Sequence, residues 1–329
     1  MRMPKRALIA SLGALLAPGA LFAASDEGKT AVPFLSYPQG ARASGMGGAF
    51  VAVADDVSSL WWNPAGLAKS QKMELAATHT VFIEDIKTQY LAFSRPIASL
   101  GGTVGGSLTY LSIPGIEGYD ASGAAAGKLT ANSYALSASY ATFVVPGRVA
   151  VGGSLKRIGQ RLADEEGSGF AADLGVQARE DKLGAGLALQ NFGPSFKIGG
   201  DSNPLPMTLR VGASYDLTPR IIGALDISKP RDGTARPHFG SEFKVNQNFH
   251  LRAGWEKQEH LGSGAGLTFG FSAVGGIGGG GADSWSGDGA GTAWWDRGDG
   301  RGFQWSFDYA FQSLGDLKEV HRISIGAKF

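Results

Sequence analysis

Phe303-Gln304-Trp305-Ser306-Phe307-Asp308-Tyr309-Ala310-Phe311-Gln312 carries an aromatic side chain at every odd position and a small or polar one at every even position. Successive side chains on a strand point to opposite faces, so this segment reads as a strand with one aromatic and one wet face. The same alternation runs outward from it in both directions. Tyr134, Leu136, Ala138 and Tyr140 interleave with Ser133, Ala135, Ser137 and Ser139, and Leu209, Val211, Ala213, Tyr215 and Leu217 enclose Arg210, Gly212, Ser214 and Asp216. Phe239, Phe243 and Val245 alternate with His238, Glu242 and Lys244, and Phe249, Leu251, Ala253 and Trp255 with His250, Arg252 and Glu256.

A soluble β-sandwich alternates too, so three further features decide the class. The segments run to about ten residues or more, longer than most globular strands and matched to a tilted membrane strand. Aromatics gather near segment ends, where a barrel sets its interfacial girdle. The chain ends on Ile323, Ile325, Ala327 and Phe329 alternating with Arg322, Ser324, Gly326 and Lys328, so Phe329 is expected to be the signal read by the barrel-assembly machinery. The reading is all-β: a transmembrane antiparallel β-barrel of about 14 strands in outer-membrane lipid. The segments are 73–82, 86–95, 101–113, 130–144, 147–159, 168–179, 182–192, 206–217, 219–229, 236–246, 248–257, 262–273, 302–313 and 318–329. Short links alternate with longer ones at 114–129, 159–168, 193–205 and 229–236, as in a barrel whose ends face different compartments.

Composition closes other routes. Glycine is abundant, 51 of 329 residues, and charged residues make up 18%, against about a quarter in ordinary soluble domains. The net charge of +1 gives no footprint for nucleic acid, and the absence of cysteine removes thiolate metal sites and cysteine nucleophiles. No HxH or HExxH pair points to zinc, and no cofactor is implied. Residues 1–24 read as a secretory signal peptide: Arg2, Lys5 and Arg6, then the apolar run Ala7 to Leu16, then small residues ending at Ala23-Ala24. Residues 73–329 form the expected barrel, interrupted at 274–301 by a Gly-, Asp- and Trp-rich insertion between strands 12 and 13.

Residues 25–72 have a different texture. The run Gly40 to Asp56 is small and apolar, Val57 to Trp62 reads as a short helix with Asp55 or Asp56 as N-cap, and Pro64 ends it at Asn63. Gly45-Met46-Gly47-Gly48 lacks the lysine and strand–helix frame of a phosphate loop. A lumen of about fourteen strands is too wide for side chains alone to fill, so this segment is expected inside the barrel as a plug or hatch.

The run Gly40-Ala41-Arg42-Ala43-Ser44-Gly45-Met46-Gly47-Gly48-Ala49-Phe50-Val51-Ala52-Val53-Ala54-Asp55-Asp56, with Trp62-Asn63-Pro64-Ala65-Gly66-Leu67, resembles the N-terminal signature of PorV/PorQ-like outer-membrane proteins. That group is similar to the FadL-like long-chain fatty acid transporters. The ending Asp308-Tyr309-Ala310-Phe311, Leu314-Gly315-Asp316-Leu317, His321-Arg322-Ile323-Ser324 and Phe329 matches the PorV/PorQ-like group's last hairpin as specifically, and Gln190-Asn191-Phe192-Gly193 and Leu205 to Gly212 add weaker matches. The resemblance implies a fourteen-stranded barrel with an N-terminal hatch fixed by Asn63-Pro64-Ala65. It implies no enzyme. Its nearer branch implies work with secretion-system components and exported cargo; the alternative is a FadL-like channel for fatty acids or other hydrophobic small molecules, with glycines 101–106 permitting a kinked strand. The 274–301 insertion departs from the family, where that turn is short.

The plug or hatch motif therefore comprises Gly45, Gly47, Gly48, Asp55, Asp56, Asn63, Pro64 and Ala65. Alternation points Asp173, Arg210, Asp226, Glu242, Lys244, Arg252 and Glu256 into the lumen, first as plug-binding and barrel-stabilising ion pairs. An enzyme would need a nucleophile, base and acid together; Asp308, His321 and Ser324 lie near each other in sequence, but parity sends Asp308 and His321 to opposite faces.

Overall fold

The computed structural model describes residues 28–119, 122–258, 265–277 and 302–329. The signal segment 1–24 and residues 278–301 of the insertion lie outside these. Sixteen strands follow in order: β1 (Glu74–Val81), β2 (Lys87–Ile97), β3 (Gly102–Tyr119), β4 (Ala125–Val145), β5 (Val149–Leu162), β6 (Glu165–Glu180), β7 (Leu183–Phe192), β8 (Phe196–Ile198), β9 (Asp201–Asn203), β10 (Thr208–Thr218), β11 (Ile221–Pro230), β12 (Arg236–Lys244), β13 (Phe249–Glu256), β14 (Leu267–Ile277), β15 (Phe303–Ser313) and β16 (Glu319–Lys328). All but β8 and β9, which form a separate hairpin, close into one antiparallel barrel of 14 strands. Each of the fourteen segments read from alternation overlaps one barrel strand. The seam is β1 against β16, paired from Glu74–Lys328 to Val81–His321. Phe329 extends it through two backbone bonds of 3.1 Å with Met73, and its ring stacks on Phe303. The end bearing Glu74 and Lys328 is called proximal here, and the opposite end distal.

Alternation sorts the side chains as lipid and lumen require. Leu155 is 72% exposed, and Leu136, Phe170, Tyr215, Phe269, Trp305 and Ile325 share its outward face. Ser139, Ser154, Gln177, Ser214, Ser272 and Ser324 are buried on the inner one. A cation on the outer face near mid-height must be driven into hydrocarbon. Leu155→Arg is therefore expected to destabilise the barrel by about 2–4 kcal/mol in lipid. Unfolding titrations in bilayers check this, and an unchanged midpoint would show that this face does not meet lipid.

The distal end departs from the expected loops. β3 and β4 run to 18 and 21 residues and β5 and β6 to 14 and 16, against 8 to 11 elsewhere in the barrel. Most of the expected loop 114–129 is a continued hairpin, its ladder shifted between Ile113 and Ile116 where Pro114 has no N–H to donate. The expected loop 159–168 is a two-residue turn, Ala163-Asp164, between strands still paired at Leu162–Glu165. Within 193–205, β8 and β9 form a small hairpin whose Phe196 packs beneath the distal mouth. β14 continues to Ile277, so the inserted segment starts four residues later than alternation suggested. Along Gly102–Gly106 no bulge interrupts the ladder: β2 and β3 stay in register from Lys87–Ser112 to Ile97–Gly102.

Residues 28–73 precede the barrel, and most of 39–70 is buried against the inner face of its wall. Two helices belong to this plug, α1 (Ala41–Gly45) and α2 (Ser59–Trp62). α2 is shorter than read, because Val57 N–H is bonded to Glu74 at 3.0 Å and Asp56 caps Ser58 N–H in a local turn instead of starting the helix. Asn63, extended at φ −162°, ends it before Pro64. A mid-barrel core joins Met46, Phe50, Val53, Leu60, Trp61, Trp62 and Leu67 to Tyr90, Ala92 and Ala141 of the wall. A second core closes the distal mouth, where Val32, Phe34 and Leu35 pack on Leu111, Ile158, Phe196 and Leu205.

Candidate functional site

The plug meets the wall as backbone on backbone. Glycines on successive strands face it, and a Cβ on any of them would collide with it. At Gly152 that Cβ lies 2.5 Å from Pro64 C, at Gly175 2.0 Å from Asn63 Oδ1, and at Gly186 2.3 Å from Val51 O. At Gly240 it lies 2.2 Å from Met46 O, and at Gly254 2.3 Å from Gly47 N. Real Cβ atoms do not approach other atoms so closely, so these positions accept only glycine while the plug stays. The plug answers in kind: Gly47 and Gly48 take φ of +63° and +73°, and a Cβ on Gly45 would sit 3.2 Å from Gly270 Cα. A glycine belt thus grips the plug from β5 round to β14.

Polar side chains fix its register. Asn63 Nδ2 donates to Val51 O at 2.9 Å and Val176 O at 3.1 Å, while its Oδ1 accepts from Ala65 N at 3.2 Å. One amide thereby ties two turns of plug to β6, with Pro64 and Ala65 pressed on Gly152 of β5. Asp226 Oδ2 accepts from Phe50 N and Val51 N at 2.7 and 2.8 Å. Gln177 Nε2 adds a bond to Val51 O at 2.8 Å.

Arg42 is the ionic centre. Its guanidinium is within 2.6 Å of Asp55, 2.8 Å of Asp56 and 3.0 Å of Glu242. Glu242 is shared with Arg252 at 2.6 Å, and Arg252 reaches Asp308 at 3.0 Å. Two arginines thus face four carboxylates in a chain from plug to β12, β13 and β15, fully charge-assisted. Within the plug, burial would raise the Asp56 carboxyl, but Arg42 and Ser58 hold it below the usual carboxylate range. Burial pushes the Lys69 ammonium down to about 8, partly opposed by Asp55.

The remaining inward charges are placed as follows. Asp173 pairs with Lys156 at 2.6 Å, wall to wall. Arg210 donates to Gln190 at 3.0 Å and lies 5.4 and 5.1 Å over the rings of Trp61 and Trp62. Glu256 accepts from Gln258 and Gln312. Lys244 is half-buried near the proximal end of β12, two residues beyond Glu242. Asp308 faces the lumen, whereas His321 lies on the outer face with Nδ1 2.8 Å from Tyr309 Oη, so the two do not meet.

One arrangement outlines a nucleophile, base and acid: Ser228 Oγ is 2.8 Å from His238 Nε2, and Nδ1 is 3.5 Å from Glu256. The nearer partner of Nδ1 is Gly47 O at 2.8 Å. The imidazole is therefore aimed at the plug backbone as another anchor. Among the described residues, no three His, Asp or Glu side chains gather as a metal site.

A family model described as "Uncharacterised protein family (UPF0164)" matches residues 11–204. The chain belongs to the UPF0164 family. No curated protein matches it. Among solved structures, it is similar to the Ralstonia pickettii toluene transporter TbuX, with a TM-score of 0.55 at 14% identity, over 88% of this chain and 97% of that one. The Pseudomonas putida toluene transporter TodX gives 0.55 at 13% identity, over 93% and 99%. At such identities the likeness is one of fold, and both are barrels of this architecture.

Several residues that hold the UPF0164 plug were not singled out from sequence: Arg42, Gln177, Gln190, His238 and the belt glycines. Gly152, Gly175, Gly186, Gly240 and Gly254 do carry a signal. Each occupies a lumen-facing position, where alternation alone would accept any small or polar residue.

Proposed function

We propose that this chain is a plugged outer-membrane channel for hydrophobic small molecules. The observation that carries the reading is the distal mouth, where an apolar cluster of Leu111, Ile158, Phe196 and Leu205 is covered by Val32, Phe34 and Leu35 of the N-terminal segment. Withdrawal of Val32, Phe34 and Leu35 would bare an apolar surface suited to an apolar solute, as binding sites generally pair apolar lining with few polar groups. The fold likeness to two toluene transporters supports the same class. In this reading residues 1–24 direct export, Phe329 is the assembly signal, the distal end faces outward and the proximal end the periplasm. Residues 25–72 are the hatch of a barrel at 73–329, and the lumen charges hold it. The secretion shuttle implied by the PorV/PorQ resemblance rests on sequence motifs, whereas the channel also has the apolar distal cluster and the fold likeness behind it, so the channel takes precedence.

Affinity purification from solubilised outer membranes, with mass spectrometry of proteins and small molecules together, separates the two. Co-purifying apolar small molecules are expected. Stoichiometric exported proteins and secretion components without them would reverse the order.

A further inference from the structure

Lys156, Asp173 and Asn191 meet from three neighbouring strands, β5, β6 and β7, and all three are almost wholly buried. Lys156 Nζ lies 2.7 Å from Asn191 Oδ1 and 2.6 Å from Asp173 Oδ2. Asp173 turns its other oxygen to the Asn191 backbone N–H, at 2.7 Å. Asn191 reaches this position by breaking the period of its strand. Gln190 already points into the lumen, so a regular β7 would send Asn191 outward. Instead Asn191 takes a left-handed φ of +56°, and the β6–β7 ladder shifts between Ala172 and Leu174. A bulge re-aims a side chain in this way and leaves a ladder group unpaired, and here Asp173 takes up the freed N–H. Asn191 Nδ2 is directed at the carbonyls of Leu35 and Pro206, 3.4 Å from each, which leaves Oδ1 to the lysine. The surroundings are apolar: Ile158 and Ala171, the next inward residues on β5 and β6, belong with Leu35, Phe196 and Leu205 to the distal core.

An amine held against a primary amide in an apolar setting, with a carboxylate in contact, is placed to displace ammonia from it. A C=O bond is about 1.23 Å long, so Nζ stands within about 4 Å of Asn191 Cγ. We infer that Lys156 and Asn191 become joined by an isopeptide bond, with Asp173 as the catalytic carboxylate. Asp173 Oδ2 takes a proton from the Lys156 ammonium, and the freed Nζ attacks Asn191 Cγ. Protons passed from Nζ through Asp173 then let Nδ2 leave as ammonia. The Cγ–Nζ bond forms, the Cγ–Nδ2 bond breaks and the surplus proton stays on Asp173, with no oxidant or reductant consumed. The product ties β5 to β7 across β6, beside the end of the β6–β7 ladder. In a chain without cysteine it is a covalent staple that needs no thiol. The bond forms whatever the barrel conducts.

The test is mass spectrometry of the full chain, purified from outer membranes with the heat-modifiable gel mobility of a folded barrel. After trypsin, Val149–Arg157 and Leu183–Lys197 are expected as one branched species, uncut after Lys156 and lighter than the two peptides together by one ammonia. Lys156→Arg keeps a cation beside Asp173 and is expected to leave Leu183–Lys197 unlinked and of full mass. Asp173→Asn keeps both reacting groups and removes the base. Sampled over time after refolding from inclusion bodies, it is expected to link at least about tenfold more slowly than the wild type. Separate peptides of full mass from the heat-modifiable wild-type barrel would overturn the inference. Linkage of Asp173→Asn at the wild-type rate would overturn the catalytic part given to the carboxylate.

Discussion

Arg42→Ala is expected to cost about 3–5 kcal/mol of plug and barrel stability, because it strands buried carboxylates that now share one guanidinium. Arg42 is buried and reaches Asp55, Asp56 and Glu242 together. Without it Glu242 keeps Arg252, but Asp55 and Asp56 lose their shortest partner. The plug is then expected to become protease-sensitive within residues 28–72 while the wall persists. Arg42→Lys should recover only part of the loss, since one ammonium cannot match a planar fork across three carboxylates. Denaturant titration in lipid and limited proteolysis read the two effects separately. A loss under about 0.5 kcal/mol would mean the cluster is solvated and not a latch.

Gly186→Ala is expected to loosen the same plug for a different reason. Its new Cβ would lie 2.3 Å from Val51 O and 2.6 Å from Val51 C, both backbone atoms. Val51 O cannot retreat freely, because it accepts from Asn63 and Gln177 at 2.9 and 2.8 Å. Overpacking of this kind costs about 1–3 kcal/mol, and more when backbone is the obstacle. The plug should loosen, and single-channel conductance in planar bilayers should rise above that of the wild-type barrel. Gly223→Ala is the matched control: its Cβ would meet only Leu217 Cδ1, at 3.5 Å, so stability should change by less than about 0.5 kcal/mol. Equal behaviour of the two variants would remove steric plug-gripping from the account.

These two sites also show where reading a sequence runs out. Period-two alternation is a local property, so all fourteen barrel strands could be read one at a time, and Asp226 or Arg252 could be turned inward by parity. The belt depends on which glycine of β6 stands beside which of β5 and on where the plug crosses them, and neither follows from local spacing. Arg42 lay in a run otherwise small and apolar, so its pattern suggested close packing and hid the ion cluster it organises. The distal part of the β3–β4 hairpin, within 114–129, reads as a loop because Pro114 and the nearby glycines break alternation, although the chain remains paired on either side of the shift. The end of α2 at Asn63 is legible because proline restricts the residue before it, which is chemistry carried by the sequence itself, whereas the anchoring role of Asn63-Pro64-Ala65 is implied only by the resemblance.

The most direct test of a plugged channel for hydrophobic small molecules is the initial rate of radiolabelled toluene uptake by intact cells with and without this protein. The lipopolysaccharide surface of a host lacking hydrophobe channels should otherwise slow entry. The account predicts a saturable increase that depends on a correctly folded barrel. Equal rates in the two strains, with the barrel present and heat-modifiable in the outer membrane, would contradict it.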